Sequence, residues 1–183
     1  MLRSTVVALP AVAAVLFAVA TQGFAAPPDS GQGEPLELKV PHSLQARHEA
    51  FHAEFIKATK EGGKVGDAAR AIEKLGVAHF AKAKDAFQPL GLLPRLAEGK
   101  VTAEMGEAIK MAEKLRAGLP QIHREHRELV AGLKSLAEAA KEEGKTDYVR
   151  FAERLTLHIQ DEEEVLYPAV LLIGDYVKRR LDK

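Results

Sequence analysis

Apolar residues recur at spacings of three and four along four long segments of the chain. This spacing is typical of amphipathic α-helices, whose buried side chains form one stripe along the helix. The four helices are predicted over residues 41–61, 67–86, 102–143 and 147–181. Gly62-Gly63 and Gly144 mark the ends of the first and third helices, because glycine readily adopts the backbone conformation that closes a helix.

The pattern predicts an all-α, up-down-up-down four-helix bundle in which the third and fourth helices are long and kinked. The kinks are predicted at residues 118–120 and at Pro168, since proline interrupts the hydrogen bonding of a helix. Residues 88–100 contain two prolines and two glycines, so they are predicted to form a connector across one end of the domain.

Each predicted helix carries one histidine on its apolar stripe, and the fourth helix carries a glutamate there as well. The inward residues predicted for the second helix are Ala68, Ile72, Leu75, His79 and Ala86. Those predicted for the fourth helix are Phe151, Leu155, His158, Glu162 and Val165. The first and third helices contribute His48 and His126.

Buried imidazole and carboxylate groups need a chemical partner, since burying an unpaired carboxylate is costly. Imidazole nitrogens and carboxylate oxygens suit divalent transition metals, and metal sites of helical bundles are built from facing helices. A simpler interpretation of the fourth helix is an ion pair between His158 and Glu162, one turn apart. One histidine on each of four helices favours a metal centre, whose predicted ligands are His48, His79, His126, His158 and Glu162.

Positions along the helices predict which of these residues share a level. His48 and His79 are about equally far from the first turn, so they are expected to face each other. Around the last turn, His126 matches Glu162, whereas His158, four residues before Glu162, is expected nearer the turn at a rise of about 1.5 Å per residue.

The three remaining histidines are weaker candidates. His52 and His123 each lie one turn from a stripe histidine, where the second side chain of such a pair can reach the same centre. His42 is expected at the surface near the first turn.

Composition and charge exclude several functions. The chain has no cysteine, which excludes disulfides and thiolate metal sites. Its formal charge is zero and its basic and acidic residues are mixed, so no basic stripe points to nucleic acid.

The N-terminus has the pattern of a signal peptide, with Arg3 followed by an uncharged, largely apolar stretch and small residues around 23–25. We predict a signal peptide over residues 1–25, a flexible leader over 26–39 and the helical domain over 40–183. The mature protein is expected to be periplasmic or secreted and free of the membrane after cleavage. An uncleaved membrane anchor is the alternative.

Four motifs resemble the hemerythrin-like (HHE cation-binding) family over residues 40–178. The most specific is HIQDEEEVLYP at residues 158–168, which matches the last helix of that family. The segments RHEAF at 47–51, AHF at 78–80 and EHREL at 125–129 resemble its other ligand segments. The resemblance implies non-haem iron or another divalent cation held by histidines and carboxylates, with reversible dioxygen binding or redox and metal sensing, in a monomeric domain.

The chain departs from the family pattern at Ala83, where the family commonly has a glutamate four residues after the second-helix histidine. One bridging carboxylate is therefore missing, which leaves Glu162 as the main candidate, with Glu163 next, and puts the second of two metal ions in question. The departure also leaves open a metal-free helical scaffold or interaction protein. A ferritin-like oxidase needs two E-x-x-H pairs, and only Glu49 and His52 supply one, so the sequence favours a binding protein over an enzyme.

Overall fold

The computed structural model describes residues 38–183. The predicted signal peptide and most of the predicted leader lie outside these residues. Among residues 38–183, no helix has the length and apolar character needed to cross a membrane.

Every regular element in the described part of the chain is helical, so the predicted all-α class is confirmed. The α-helices are α1 (His42–Thr59), α2 (Gly63–Ala71), α3 (Glu73–Ala86), α4 (Leu93–Ala97), α5 (Gly106–Glu142), α6 (Thr146–Asp161) and α7 (Tyr167–Leu181). Two short 3₁₀ helices, Gln88–Leu92 and Ala103–Met105, lie between them, and a π-helical turn, Glu162–Leu166, joins α6 to α7.

The helix count differs from the prediction at three places: the second and fourth predicted helices each divide, and the predicted connector contains the short helix α4. The predicted second helix begins at Gly63, not near Asp67, and divides at Ile72, where φ is −112° and ψ is 8°. The N–H of Ile72 bonds to the carbonyl of Ala69 at 3.2 Å, a tightened turn that ends α2. The predicted irregularity near Pro168 takes the form of the π turn just before it.

Two glycines form the turns between long helices. Gly63 has φ of +72° and Gly144 has φ of +68°. Both values lie in the left-handed region that side chains with a Cβ rarely adopt. These turns match the positions predicted from the sequence, because the need for positive φ is visible in the residue type.

The stripe predicted for the first helix is buried in α1, at Leu44, His48, Phe51, Phe55 and Ala58. The stripe of the second predicted helix is displaced. Val65, Ala69 and Gly76 are buried there, and the predicted Ala68 and Leu75 are only half-buried. The break at Ile72 explains the displacement, since a stripe extrapolated along one continuous helix loses its phase at a break.

Val165 was also predicted to point inward, and this prediction is wrong. Its side chain is 58% exposed, whereas Tyr167 is 4% exposed. The π turn pairs residues five apart instead of four, so it shifts the inward face of every residue that follows.

The core consists of two apolar clusters that lie on either side of a polar layer. The first cluster is centred on Phe55, Leu133 and Leu155, and the second on Phe87, Met105, Tyr167 and Val170. Between them lie the buried polar residues His48, His79, His126, His158 and Glu162. The connector after α3 closes the second cluster with Pro89, Leu90 and Leu92, which are buried as its apolar character predicted.

Helix α7 packs closely on α5 at Gly174. A Cβ at this position would lie 2.3 Å from the Cβ of Ala112. Gly174→Ala should therefore lower the free energy of unfolding by about 1–3 kcal/mol, the usual cost of overpacking. Denaturant unfolding measures the effect, and Ala112→Gly in the same chain should recover part of the loss.

Gly118→Ala provides the matched control, because the nearest atom to its Cβ would be Ile122 Cδ1 at 3.8 Å, an ordinary contact. This variant should be neutral or more stable by up to about 1 kcal/mol, since alanine favours a helix over glycine. Equal losses in the Gly174 and Gly118 variants would contradict a steric origin.

Candidate metal centre

Four helices and the π turn each bring one polar side chain to a single buried position. His48 comes from α1, His79 from α3, His126 from α5 and His158 from α6, while Glu162 opens the π turn. None of the four histidines is more than 9% exposed, and Glu162 is 0% exposed. The structure therefore brings together all five residues that the sequence singled out as ligands.

The carboxylate of Glu162 lies at the centre of this group. Its Oε1 lies 3.2 Å from Nε2 of His48 and 3.3 Å from Nε2 of His158. Its Oε2 lies 3.4 Å from Nε2 of His126 and 3.6 Å from Nε2 of His79. Each carboxylate oxygen thus lies 3.2–3.6 Å from the Nε2 atoms of two histidines.

Two sets of three donors follow, each with two histidines and Glu162. In the set of His48 and His158, and equally in that of His79 and His126, the donor atoms lie within 4.8 Å of one another. Such spacing allows a single cation to contact all three donors of a set. We call these sets the His48–His158 half and the His79–His126 half of the centre.

The predicted match of His126 with Glu162 is confirmed, whereas the predicted facing of His48 and His79 and the predicted offset of His158 are wrong. His48 was expected to face His79, but its ring lies 4.7 Å from that of His158, and the rings of His79 and His126 are 5.1 Å apart. His158 also reaches the same carboxylate as His126 despite the expected offset. His158 and Glu162 lie one turn apart on the same helix face, where side chains are neighbours, and Nε2 of His158 lies 3.3 Å from Oε1 of Glu162.

The donor atoms lack ordinary hydrogen-bond partners. The Nε2 atoms of the four histidines and Oε1 of Glu162 are buried without a hydrogen bond, although three of the nitrogens lie within 3.5 Å of the carboxylate. The distances suit hydrogen bonds but the directions do not. Buried polar atoms are normally satisfied, so five unsatisfied atoms that converge on one point fit a cation as their common partner.

Glu163 strengthens this interpretation at His126. Its Oε1 lies 2.9 Å from Nδ1 of His126. If the neutral ring donates its proton to Glu163, the lone pair of Nε2 is directed to the Glu162 side, where it meets another acceptor. Two acceptors that face each other repel, and a cation between them would remove the repulsion.

Tyr167 holds the other side of the carboxylate. Its hydroxyl donates a hydrogen bond of 3.2 Å to Oε2 of Glu162. Its ring stacks between Phe87 and His126, with centroid distances of 5.3 and 5.9 Å. Burial, followed by the charge of Glu162, raises the pKa of Tyr167, so the phenol keeps its proton and remains a donor.

Burial and charge set the protonation of the centre. Burial lowers the pKa of His79 to about 4, against the opposing effect of Glu162, so this ring is neutral at pH 7. Burial alone would raise the pKa of Glu162, but contacts with His158 and His48 outweigh it and lower the pKa. A neutral imidazole beside an ionised carboxylate is the state that binds a divalent cation.

The weaker candidates lie outside the centre. His42 and His52 are exposed and His123 is half-buried, and neither donor set within residues 38–183 includes any of them. The exposure of His42 agrees with its predicted surface position. Ala83, on α3, is 1% exposed and packs in the second apolar cluster, so that position supplies no carboxylate to the centre. Glu162 is the one carboxylate that belongs to both donor sets of residues 38–183.

Sequence reasoning missed Tyr167 as a part of the centre. Tyr167 follows Glu162 by five residues, a spacing that in a regular helix would separate the two side chains. The π turn brings them together, and the only sequence signal for it was Pro168, which marks an irregular turn without specifying its type.

Comparisons with protein-family models, with curated proteins and with solved structures found no match to this chain. The functional argument therefore depends on the geometry of the donor atoms and on the chemistry that such donors perform.

The buried His79 predicts how the metal-depleted protein responds to acid. Its folded-state pKa of about 4 lies below the ordinary value of 6.5, so protonation favours the unfolded chain. The neutral His79 ring contributes fully to the free energy of unfolding above pH 6.5. As the pH falls from 6.5 toward 4, this free energy decreases by about 3 kcal/mol. Denaturant unfolding of chelator-treated protein across this range measures the loss.

His79→Gln should flatten this pH dependence, because glutamine does not titrate. His42→Gln, at an exposed position, should leave the dependence unchanged and serves as the control. A His79→Gln variant that loses stability as steeply as the natural protein between pH 6.5 and 4 would contradict the assignment.

Proposed function

We propose that this chain is an exported, monomeric hemerythrin-like domain that binds non-haem iron or another divalent cation in its core. The single observation that carries the proposal is the convergence of four buried imidazole nitrogens on the carboxylate of Glu162. In this reading the domain is a four-helix bundle. Helices α2 and α3 together form its second member, and α6, the π turn and α7 form its fourth.

The donor set supports iron among the divalent metals. Each half offers two imidazole nitrogens and one carboxylate oxygen, the combination that many non-haem iron(II) proteins use. The chain has no cysteine, which removes the thiolate ligands that iron–sulfur clusters need. Zinc and manganese accept the same donors, so the choice among these ions is a matter for measurement.

The residues of the chain have separate roles in this proposal. The four histidines would hold the metal, and Glu162 would contact both halves through its two oxygens. Tyr167 orients the carboxylate through its hydrogen bond, while the two apolar clusters exclude water on either side of the layer. Bound iron would supply reversible dioxygen binding or a redox change that the domain reports as a sensor.

A metal-free scaffold is the second candidate, and Ala83 is the observation that favours it. This buried alanine cannot supply a carboxylate from the second predicted helix. A pair of divalent ions would therefore have only the carboxylate of Glu162 between them, with that of Glu163 nearby on His126. Fewer negative charges weaken the binding of two like-charged cations. The two candidates differ in metal content, which can be measured directly.

Metal bound only by the folded chain stabilises it by mass action. Protein purified without added metal should contain iron or another divalent ion, and a chelator should lower its melting temperature at pH 7. At a free metal concentration near 100 times Kd the stabilisation is about 2.7 kcal/mol, which corresponds to roughly 5–10 °C for a domain of this size.

Elemental analysis and thermal unfolding of the same sample test this expectation. A melting temperature indifferent to chelator, in protein shown to contain metal, would place that metal outside the buried centre. Protein that contains no metal and takes up none from solution would support the scaffold instead.

His126 and His123 provide a matched pair of substitutions on one helix. His126 is buried with Nε2 facing Glu162, whereas His123 is half-buried and outside both donor sets. His126→Ala should lower metal affinity by at least about 100-fold, since loss of an outer partner alone costs 10–100-fold, while His123→Ala should change it less than threefold. Calorimetric titration with Fe²⁺ under anaerobic conditions measures both, and equal losses would contradict the assignment of ligands.

A further inference from the structure

The two halves of the centre have different surroundings. Around the His79–His126 half, Glu163 contacts Nδ1 of His126 at 2.9 Å, and Tyr167 donates to Oε2 of Glu162 at 3.2 Å. That oxygen is the one nearer to His79 and His126. Polar groups outside the donor set therefore fix both a histidine and the carboxylate oxygen of this half.

The His48–His158 half has aromatic surroundings instead. Both ring nitrogens of His158 are buried without a hydrogen-bond partner. Its ring lies 5.1 Å from that of Phe51, and the ring of His48 lies 5.6 Å from that of Phe87. Within residues 38–183, packing orients the His158 ring, and no second carboxylate bonds to its Nδ1 as Glu163 does to that of His126.

A cavity adjoins this second half. It has a volume of about 830 Å³, lies between α1 and α3, and is lined by His48 together with Glu49, His52 and Phe80. His79, His126 and His158 are not among its lining residues. The cavity therefore reaches the His48–His158 half from the side of His48, whose Nε2 atom is itself buried.

Histidine ligands are held best when their second ring nitrogen bonds to a carboxylate, and loss of that partner typically weakens metal binding 10–100-fold. We propose that metal fills the His79–His126 half first and more tightly, with Glu163 as the positioning residue of His126. The His48–His158 half fills second and exchanges its ion through the adjoining cavity. This inference rests on the proposed metal-binding function and assigns an order to it.

The order can be observed in the natural protein. Metal-free full-length chain with isotope-labelled histidines is titrated with Zn²⁺, a diamagnetic ion, while NMR follows the imidazole signals. The signals of His79 and His126 should shift during the first equivalent, and those of His48 and His158 during the second. Simultaneous shifts of all four, or the reverse order, would overturn the inference and leave metal binding intact. If none of the four shifts, both the inference and the proposed function are wrong.

Glu163→Gln and Glu164→Gln provide the matched test of the positioning residue. They remove the same charge from adjacent positions, but Glu164 is exposed and belongs to neither donor set. In calorimetric titrations with Zn²⁺, Glu163→Gln should weaken the first binding step about 10-fold or more and leave the second step unchanged. Glu164→Gln should leave both steps within twofold of the natural protein.

Melting temperatures of the metal-free variants show whether each still folds. A loss shared by both binding steps, or equal losses in the two variants, would show that Glu163 acts through the fold or through net charge. Either result would overturn its assignment as the residue that positions His126.

Discussion

The structure depends on the burial of one carboxylate. Glu162 has no exposed surface, yet its pKa is lowered, so the carboxylate is ionised between the two apolar clusters of the core. An ionised carboxylate in such a place is tolerated only with compensating partners. Four helices supply them as one imidazole each, and the relative positions of the helices must keep all four rings within reach of two oxygen atoms.

This constraint divides the core into layers. Apolar side chains form one cluster around Phe55 and another around Phe87, and each contributes the burial of hydrocarbon that favours folding. The polar layer between them contributes little of this kind and contains six unsatisfied atoms, two of them on His158. The apolar clusters therefore carry the stability of the domain, and they hold the polar layer in a geometry that is unfavourable without a cation.

The sequence predicts what depends on regular helical spacing. The stripe of α1 and the inward position of each central histidine follow from the intervals of three and four, and the turns follow from Gly63 and Gly144. Where a predicted helix is interrupted within its length, the prediction of its inward residues fails. The break at Ile72 displaced the stripe of the second helix, and the π turn exposed Val165, which was predicted to point inward.

The pairing of the histidines was also beyond the sequence. Counting residues from a turn gives the height of a Cα atom, whereas the contact depends on the direction and length of the side chain. The side chains of His158 and Glu162 meet although their Cα atoms differ in height, because residues one turn apart on a helix face are neighbours. The contact of Glu163 with His126 and that of Tyr167 with Glu162 also depend on the π turn, which the sequence did not specify.

The π turn has a consequence for how the end of the chain is compared with other helical proteins. In a regular helix, residues five apart are rotated by about 140°, so Tyr167 would lie far round the helix from Glu162. The wider turn accommodates one additional residue without a loop and returns α7 to the same inward face. In a chain with a regular helix in place of the π turn, the residue equivalent to Tyr167 would lie one position earlier. An alignment of the two chains without a gap would then pair residues that do not correspond in space from Val165 onward.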